Sequence, residues 1–385
     1  MKLRLLDLLQ CPCGSGNLTL QDAVVTTVPF ERALSEAKCS KTCAFKKCSV
    51  ASGTVQPSDC AECFTQEVME GILCCQCGQK WPIVGGVPRF LPGALPEDIK
   101  RTQATFSYEW KMFRSGERNW GQDISFRRDQ FVRGLGVDPS DLRGKLMFDA
   151  GCGSGALSIE LSKSLGMEIV ALDLAFGIEN AYRRNDSPFV YFVQGSVLEP
   201  PVQSNAFDYL YCAGVLVALP DARTGFKAIV RTLKRGGRCF IWVYHPINPA
   251  YYPGTWRKMA LYNWIRTNVT LKLPIRLQYY LYLSWIPAFL AKQFVEGLLG
   301  RSRRPNPLTW REKMQAFFDF YSPAYQHRFE PSEVMTWYQQ EGFSNAEVAY
   351  RETDGFAARG TLDKKDNYAS ISDVVETEDM AVRRA

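Results

Sequence analysis

Apolar and polar positions change period along this chain, and each change marks an element. Leu146-Met-Phe-Asp-Ala is a short apolar run ending beside glycines at every second position, Gly151, Gly153 and Gly155. Ala156 to Leu165 then carries apolar residues at helical spacing, so the stretch predicts strand, tight turn, helix. A second apolar run, Ile169-Val-Ala-Leu, ends on Asp173. From Gly93 to about Leu142 aromatic and charged residues recur at helical spacing, including Phe106-Ser-Tyr-Glu-Trp110 and Phe126-Arg-Arg-Asp-Gln-Phe131. Leu277 to Leu299 predicts one or two amphipathic helices; Phe329 to Gly342 predicts another helix. Asn345 to Tyr350 with Gly355 to Arg359 reads as a closing antiparallel hairpin, and the tail beyond Thr361 as disordered.

The longest uncharged apolar window, Leu277 to Ala291, has a proline inside and is too short to span a bilayer. The apolar start, Met1 to Gln10 ahead of Cys11, is broken by Asp7 and lacks the small residue that lipoprotein cleavage needs. A cytoplasmic protein is the expectation. At 385 residues the chain has room for a catalytic domain and a smaller second one. The net charge of +6 is unevenly placed: between Trp256 and Arg311 there are ten Lys or Arg against one acid, Glu296.

Cysteine use adds a second chemistry. Ten of the thirteen cysteines precede residue 78, which without an export signal argues for metal rather than disulfides. Cys11, Cys13, Cys74 and Cys77 form an outer set for a structural four-thiolate zinc site. Only Pro12 separates the first pair, a shorter spacing than the usual knuckle. Cys39, Cys43, Cys60 and Cys63 form an inner set, read as a second zinc site or as reduced thiols on a long loop.

The glycine turn reads as a nucleotide-type cofactor site, since glycines let backbone approach a ligand and aim helix amides at it. Asp149 just ahead of the turn would repel a pyrophosphate and suits an ammonium or sulfonium group. Asp173, at the tip of the second strand, is placed to take both hydroxyls of a ribose. Two acids around one glycine turn favour S-adenosylmethionine. Here the sequence resembles the class I S-adenosylmethionine-dependent methyltransferases. Val190-Tyr-Phe-Val-Gln-Gly-Ser-Val is similar to their third strand, Ala206-Phe-Asp-Tyr-Leu-Tyr-Cys-Ala-Gly-Val-Leu to their fourth, and Leu233-Lys-Arg-Gly-Gly-Arg-Cys-Phe-Ile-Trp-Val-Tyr to their fifth. The head resembles the zinc ribbon found on many bacterial methyltransferases and in small methyltransferase activators. The resemblance implies a doubly wound, seven-stranded α/β sheet with a small N-terminal zinc-ribbon domain and a helical lid insertion. It implies cofactor contacts from Asp149, Gly151, Gly153, Gly155, Asp173, Leu174, Ser196, Val197 and Ala213, with Ser196 standing where relatives carry an acid for the adenine. Asp186 or Glu199 are the alternatives for that acid.

The expected organisation is a cysteine-rich head (1–93), a helical cap and linker (94–142), the methyltransferase core (143–245 and 312–360), a lid (246–311) and a tail (361–385). Methyl transfer needs alignment and a group to take up a proton. His245, directly after the fifth strand, and His327, in a turn with Tyr325, are the candidates. The lid, crowded with aromatics, suits a small-molecule acceptor such as a lipid-like, polyketide or prenylated compound. Peripheral membrane contact and plain packing at a homodimer interface are the other uses of its surface. Nucleic acid ranks lowest, because the aromatics sit on apolar-periodic helices rather than an exposed sheet. The alternatives in function are an RNA methyltransferase, or a cofactor-binding scaffold whose zinc head serves a partner enzyme.

Overall fold

The computed structural model describes residues 1–14, 16, 18–31, 34, 36–53, 55–112, 118–119, 121–300 and 308–363. The rest of the expected tail, and Arg301, Arg303 and Arg304, lie outside these residues. Eleven strands form one sheet: β1 (Thr19–Thr27), β2 (Gln66–Cys74), β3 (Lys80–Val84), β4 (Val87–Phe90), β5 (Leu146–Ala150), β6 (Glu168–Asp173), β7 (Val190–Gly195), β8 (Phe207–Ala213), β9 (Leu233–Tyr244), β10 (Glu347–Arg351) and β11 (Gly355–Thr361). Their spatial order is β1-β2-β3-β4-β7-β6-β5-β8-β9-β11-β10. The strands β7 to β9 are parallel to one another and β11 is antiparallel to β9, so the seven strands from β7 to β10 make the expected doubly wound sheet. All five residues of β5, and all six of β6 and β7, are buried, as strands covered by helices on both faces must be.

The head is joined to this sheet rather than set beside it. Gln194 and Gly195 of β7 pair in parallel with Arg89 and Phe90 of β4, which continues the core into the meander β1 to β3. The N-terminal run packs into the same core, with Leu5, Leu8 and Leu9 essentially inaccessible, each stabilising by roughly 1.5–3 kcal/mol. Arg4 binds Glu168 at 3.0 Å and Asp7 at 2.7 Å, and Asp7 accepts backbone N–H groups of Ser40, Lys41 and Thr42. One buried acid thereby fixes the start of the inner cysteine loop.

Helices α1 (Pro57–Phe64), α2 (Glu97–Met112), α3 (Ile124–Leu135), α4 (Ala156–Leu165), α5 (Ile178–Arg183) and α6 (Ala222–Val230) precede or flank the parallel strands. The insertion folds as α7 (Trp256–Asn268) and α8 (Ile275–Leu298), followed by α9 (Trp310–Tyr321) and α10 (Pro331–Gln340). The expectation of amphipathic lid helices needs correction at α8. Its Gln278, Tyr282 and Ile286 are buried against Met314, Phe318 and Tyr321, yet its outer side is also apolar, with Tyr280 66%, Phe294 68% and Leu298 72% exposed. A helix apolar all round is normally covered on every side.

Candidate active site and metal centre

The turn after β5 is anchored first by backbone. The amides of Gly151 and Cys152 both donate to the Leu172 carbonyl, at 2.8 and 2.9 Å. Gly153 and Gly155 adopt left-handed φ of +55° and +70°. A Cβ on Gly153 would lie 2.7 Å from the Trp110 ring, and one on Gly155 2.6 Å from Phe192, so neither position admits a side chain. Gly155 caps α4, whose first-turn amides face the strand tips.

Asp173 organises the same turn. Its Oδ2 accepts from Gly153 N at 2.7 Å and its Oδ1 from Ala175 N at 2.8 Å, leaving each oxygen further lone pairs for hydroxyl donors. Burial pushes its carboxyl above the usual range, against the pull of the Ala175, Gly153 and Leu174 amides. Asp149 accepts from the Ser158 hydroxyl, and burial pushes it up to about 7, with Asp173 adding and Arg127 opposing. The Leu174 carbonyl accepts from Gln103 and Gln194 at 3.1 and 3.2 Å. Val197 is buried beyond the tip of β7 and Ala213 ends β8; the Ser196 hydroxyl accepts from Leu198 N at 3.2 Å. All nine expected cofactor residues thus fall on one edge of the sheet. Asp186 does not: it precedes β7 at the opposite edge, where it pairs with Lys163.

The aromatic segment before the core lies over this edge. On α2, Trp110 packs against Gly153 and Gly177, Gln103 reaches Leu174, and the Ser107 hydroxyl accepts from Phe176 N at 3.0 Å. Beside Trp110, Glu109 is wholly inaccessible, with the Gln315 side-chain amide of α9 as the polar group facing its carboxyl. Asp319 of α9 accepts from the Tyr244 hydroxyl at 3.1 Å. Burial raises Asp319 to about 6, and burial with nearby Asp319 holds Glu109 well above the carboxylate range. Sequence reasoning missed both acids, although Glu109 sits inside a quoted aromatic motif and Tyr244 immediately precedes His245.

The two histidines sit in different settings, with Nδ1 of His245 buried and without a hydrogen-bond partner among the described residues. His245 is 2% exposed, stacked between Tyr251 and Phe356 with centroids 4.4 and 5.1 Å away; desolvation, then Arg351, lowers its pKa. His327 places Nε2 2.9 Å from the Leu219 carbonyl and its backbone N–H on Val217 O, stapling the loop after β8. Tyr325 stacks on His327 and donates to Asp98 at the first turn of α2, joining two sides of the cleft mouth.

In the head, Cys11, Cys13, Cys75 and Cys77 bring their sulfurs within 4.8 Å of one another. Cys74 is therefore corrected to Cys75. Cys74 is the last residue of β2, paired with Thr19 and Lys80, and successive strand residues point to opposite faces. The turn then closes with Gly78 N on Cys75 O, matching Gly14 N on Cys11 O, so both knuckles are Cys-x-Cys-Gly. The short first spacing is thus the spacing of both. Cys11 and Cys77 sulfurs lie 3.9 Å apart and those of Cys13 and Cys75 3.6 Å. A tetrahedral four-thiolate zinc with bonds of about 2.3 Å needs roughly 3.8 Å. In the inner set Cys39, Cys43, Cys60 and Cys63 are all buried, and Cys43 and Cys60 share a small core with Val55. Their sulfurs are not drawn together as the outer four are.

Comparison with known proteins agrees with this geometry. Residues 148–241 match the family described as a methyltransferase domain. Over 148 residues the chain is 29% identical to the sterol 24-C-methyltransferase of Schizosaccharomyces pombe, covering 37% of this chain and 38% of that protein. Over 110 residues it is 32% identical to a ubiquinone biosynthesis O-methyltransferase of Xanthomonas oryzae, covering 26% and 44%. The chain thus spans less than half the length of these relatives. Among solved structures, the complex of the Haloferax volcanii Trm112 methyltransferase activator with a methyltransferase is 13% identical, covering 67% of this chain and 98% of that one at a TM-score of 0.40. The matched segment, residues 148–241, runs from β5 into β9, so the methyltransferase domain of this chain is built on the parallel strands that carry the glycine turn and Asp173.

Proposed function

We propose that the protein methylates an apolar, lipid-like small molecule that it takes up from an anionic membrane surface. The observation that carries this is α8, 24 residues or about 36 Å long. Its inner side lies on the helices over the cofactor edge; its outer side, from Leu277 through Tyr280 and Phe294 to Leu298, is apolar and exposed. No helix among the described residues is long and apolar enough to cross a membrane. An apolar face flanked by Trp264 and by exposed Arg257, Lys258, Lys272 and Arg276 suits an interface that is apolar below and negatively charged above. Methyltransferases of sterol and ubiquinone metabolism among the relatives support a lipid-like acceptor.

Asp173 and the glycine-turn amides would hold the sugar and amino-acid parts of S-adenosylmethionine, with Asp149 compensating its positive charge. The bound cofactor supplies a methyl group already activated on sulfonium. The chain's own work is then to exclude water, which α2 does through Trp110, and to present the acceptor at the ends of β8 and β9. The Cys11, Cys13, Cys75 and Cys77 sulfurs would hold a structural zinc that braces the edge of the sheet.

Two measurements test this. Labelled methyl from S-adenosylmethionine should enter the solvent-soluble fraction of an extract from the source cells. Label in RNA or protein instead would replace the acceptor class. The protein should also sediment with vesicles of equal parts phosphatidylcholine and phosphatidylglycerol. Phe294→Asp with Leu298→Asp should cut that binding at least about tenfold, given roughly 1.5–3 kcal/mol per apolar side chain inserted, without lowering the melting temperature. If the double variant instead converts a dimer to a monomer and the parent ignores vesicles, α8 is a subunit interface.

A further inference from the structure

Resting on the methyltransferase reading, we infer that Asp319, hydrogen-bonded to Tyr244 and backed by Glu109, takes the proton released by the acceptor. The inference stands on where these groups lie. Tyr244 ends β9, at the strand edge where ligands of a doubly wound sheet sit. Its hydroxyl donates to Asp319 Oδ2, which leaves Oδ1 to a ligand, and Asp319 keeps part of its surface accessible although heavy atoms surround it. Glu109 comes from the opposite wall. The adjacent Tyr108 ring packs 5.3 Å from Phe318 beside Asp319, and the other neighbour, Trp110, touches the cofactor turn. Glu109 is 0% exposed, and the polar group facing its carboxyl is the Gln315 side-chain amide, one turn before Asp319 and also buried. Burying a carboxyl against one amide and a second carboxyl is costly, so this wall of the pocket is polar where the sheet edge opens toward a ligand.

The acceptor is therefore a hydroxyl or amine compound whose N–H or O–H enters between α2 and α9. As the acceptor's heteroatom–carbon bond forms, the carbon–sulfur bond breaks with its electron pair left on sulfur, and the acceptor's proton passes to Asp319. The charged and titratable groups around Asp319 are Tyr244 from β9, Asp354 from the β10–β11 turn, Glu109 from α2 and Arg328, whose guanidinium lies 5.2 Å from the Tyr244 ring centre. Desolvation, opposed by the Tyr244 hydroxyl and reinforced by Asp354, places Asp319 at about 6. A base must be ionised, so transfer should rise with pH through that value and level off above it.

The test uses the full chain, the labelled-methyl assay with the cell extract, and calorimetric binding of S-adenosylhomocysteine. Asp319→Asn should lower transfer at least about 100-fold, keep S-adenosylhomocysteine affinity within about threefold and raise the melting temperature at pH 8, because a buried charge is removed. Asp319→Glu should restore part of the rate with a shifted pH profile, which a merely structural residue would not give. Glu109→Gln should lower transfer about tenfold or more, again with cofactor affinity kept. Transfer by Asp319→Asn within about threefold of the parent, or a loss in His327→Gln equal to that expected of Asp319→Asn, overturns the inference. If the parent itself moves no label into any fraction, the methyltransferase reading fails first and this inference with it.

Discussion

Asp173→Ala loses the cofactor: calorimetry with S-adenosylhomocysteine should show at least about a 100-fold fall in affinity. Two charge-assisted hydrogen bonds from ribose hydroxyls contribute roughly 1.5–3 kcal/mol each, and about 2.7 kcal/mol already corresponds to 100-fold. The same carboxylate ties Gly153 N and Ala175 N, so its removal also loosens the turn that aims the α4 amides. Asp173→Asn separates the two contributions, since it keeps the volume and one acceptor oxygen and should fall between parent and alanine variant. The acids also predict a pH dependence. Asp149, raised to about 7 by burial, Asp173 adding to the effect, binds a positively charged cofactor only when ionised, so affinity for S-adenosylmethionine should climb as pH rises through about 7. Stability runs the other way. A carboxyl whose folded pKa lies above its unfolded value binds the proton more tightly when folded, so its contribution falls as pH rises from about 4 to about 7. Asp173→Ala binding within about threefold of the parent would remove the assignment of this edge.

The sheet and its cofactor edge were legible because they depend on local pattern. A parallel strand buried on both faces must be a continuous apolar run, and a tight turn under a helix must be glycine. Leu146 to Gly155 satisfies both. The pocket beyond the cofactor was not legible, because Glu109, Tyr244 and Asp319 come from three elements more than a hundred residues apart at their extremes. An acid buried on one side of a helix has the same sequence signature as one in solvent. The lid shows the converse failure. Apolar residues at three and four spacing describe one stripe, but α8 carries apolar residues between the stripes as well, and only packing against α9 reveals which side is left uncovered. The histidines drew attention through their scarcity; His245 lies between two rings with its Nδ1 buried and unpartnered among the described residues, and His327 holds a loop carbonyl. Rarity is a property of composition; function depends on which atoms face the cleft.

The knuckle correction gives a sharp test of the head, because adjacent residues should behave oppositely. Cys75→Ser should lose zinc and Cys74→Ser should keep it, read as metal per chain in the purified proteins. Cys75 contributes a sulfur to the four within 4.8 Å, whereas Cys74 closes a strand and points to the other face. The stability consequence reaches beyond the head. Its meander continues the catalytic sheet through β4 on β7, and Arg89 of β4 donates to Gln194, whose amide holds the Leu174 carbonyl at the cofactor edge. Metal loss should therefore lower the melting temperature by at least about 5 °C and weaken S-adenosylhomocysteine binding as well, an effect that a chelator should reproduce in the parent protein. A second ion per chain, lost in Cys43→Ser or Cys60→Ser, would assign the inner set as a site in its own right. Zinc retained by Cys75→Ser and lost by Cys74→Ser would put the knuckle in the register that the bare sequence favoured, one residue from where the turn closes on Gly78.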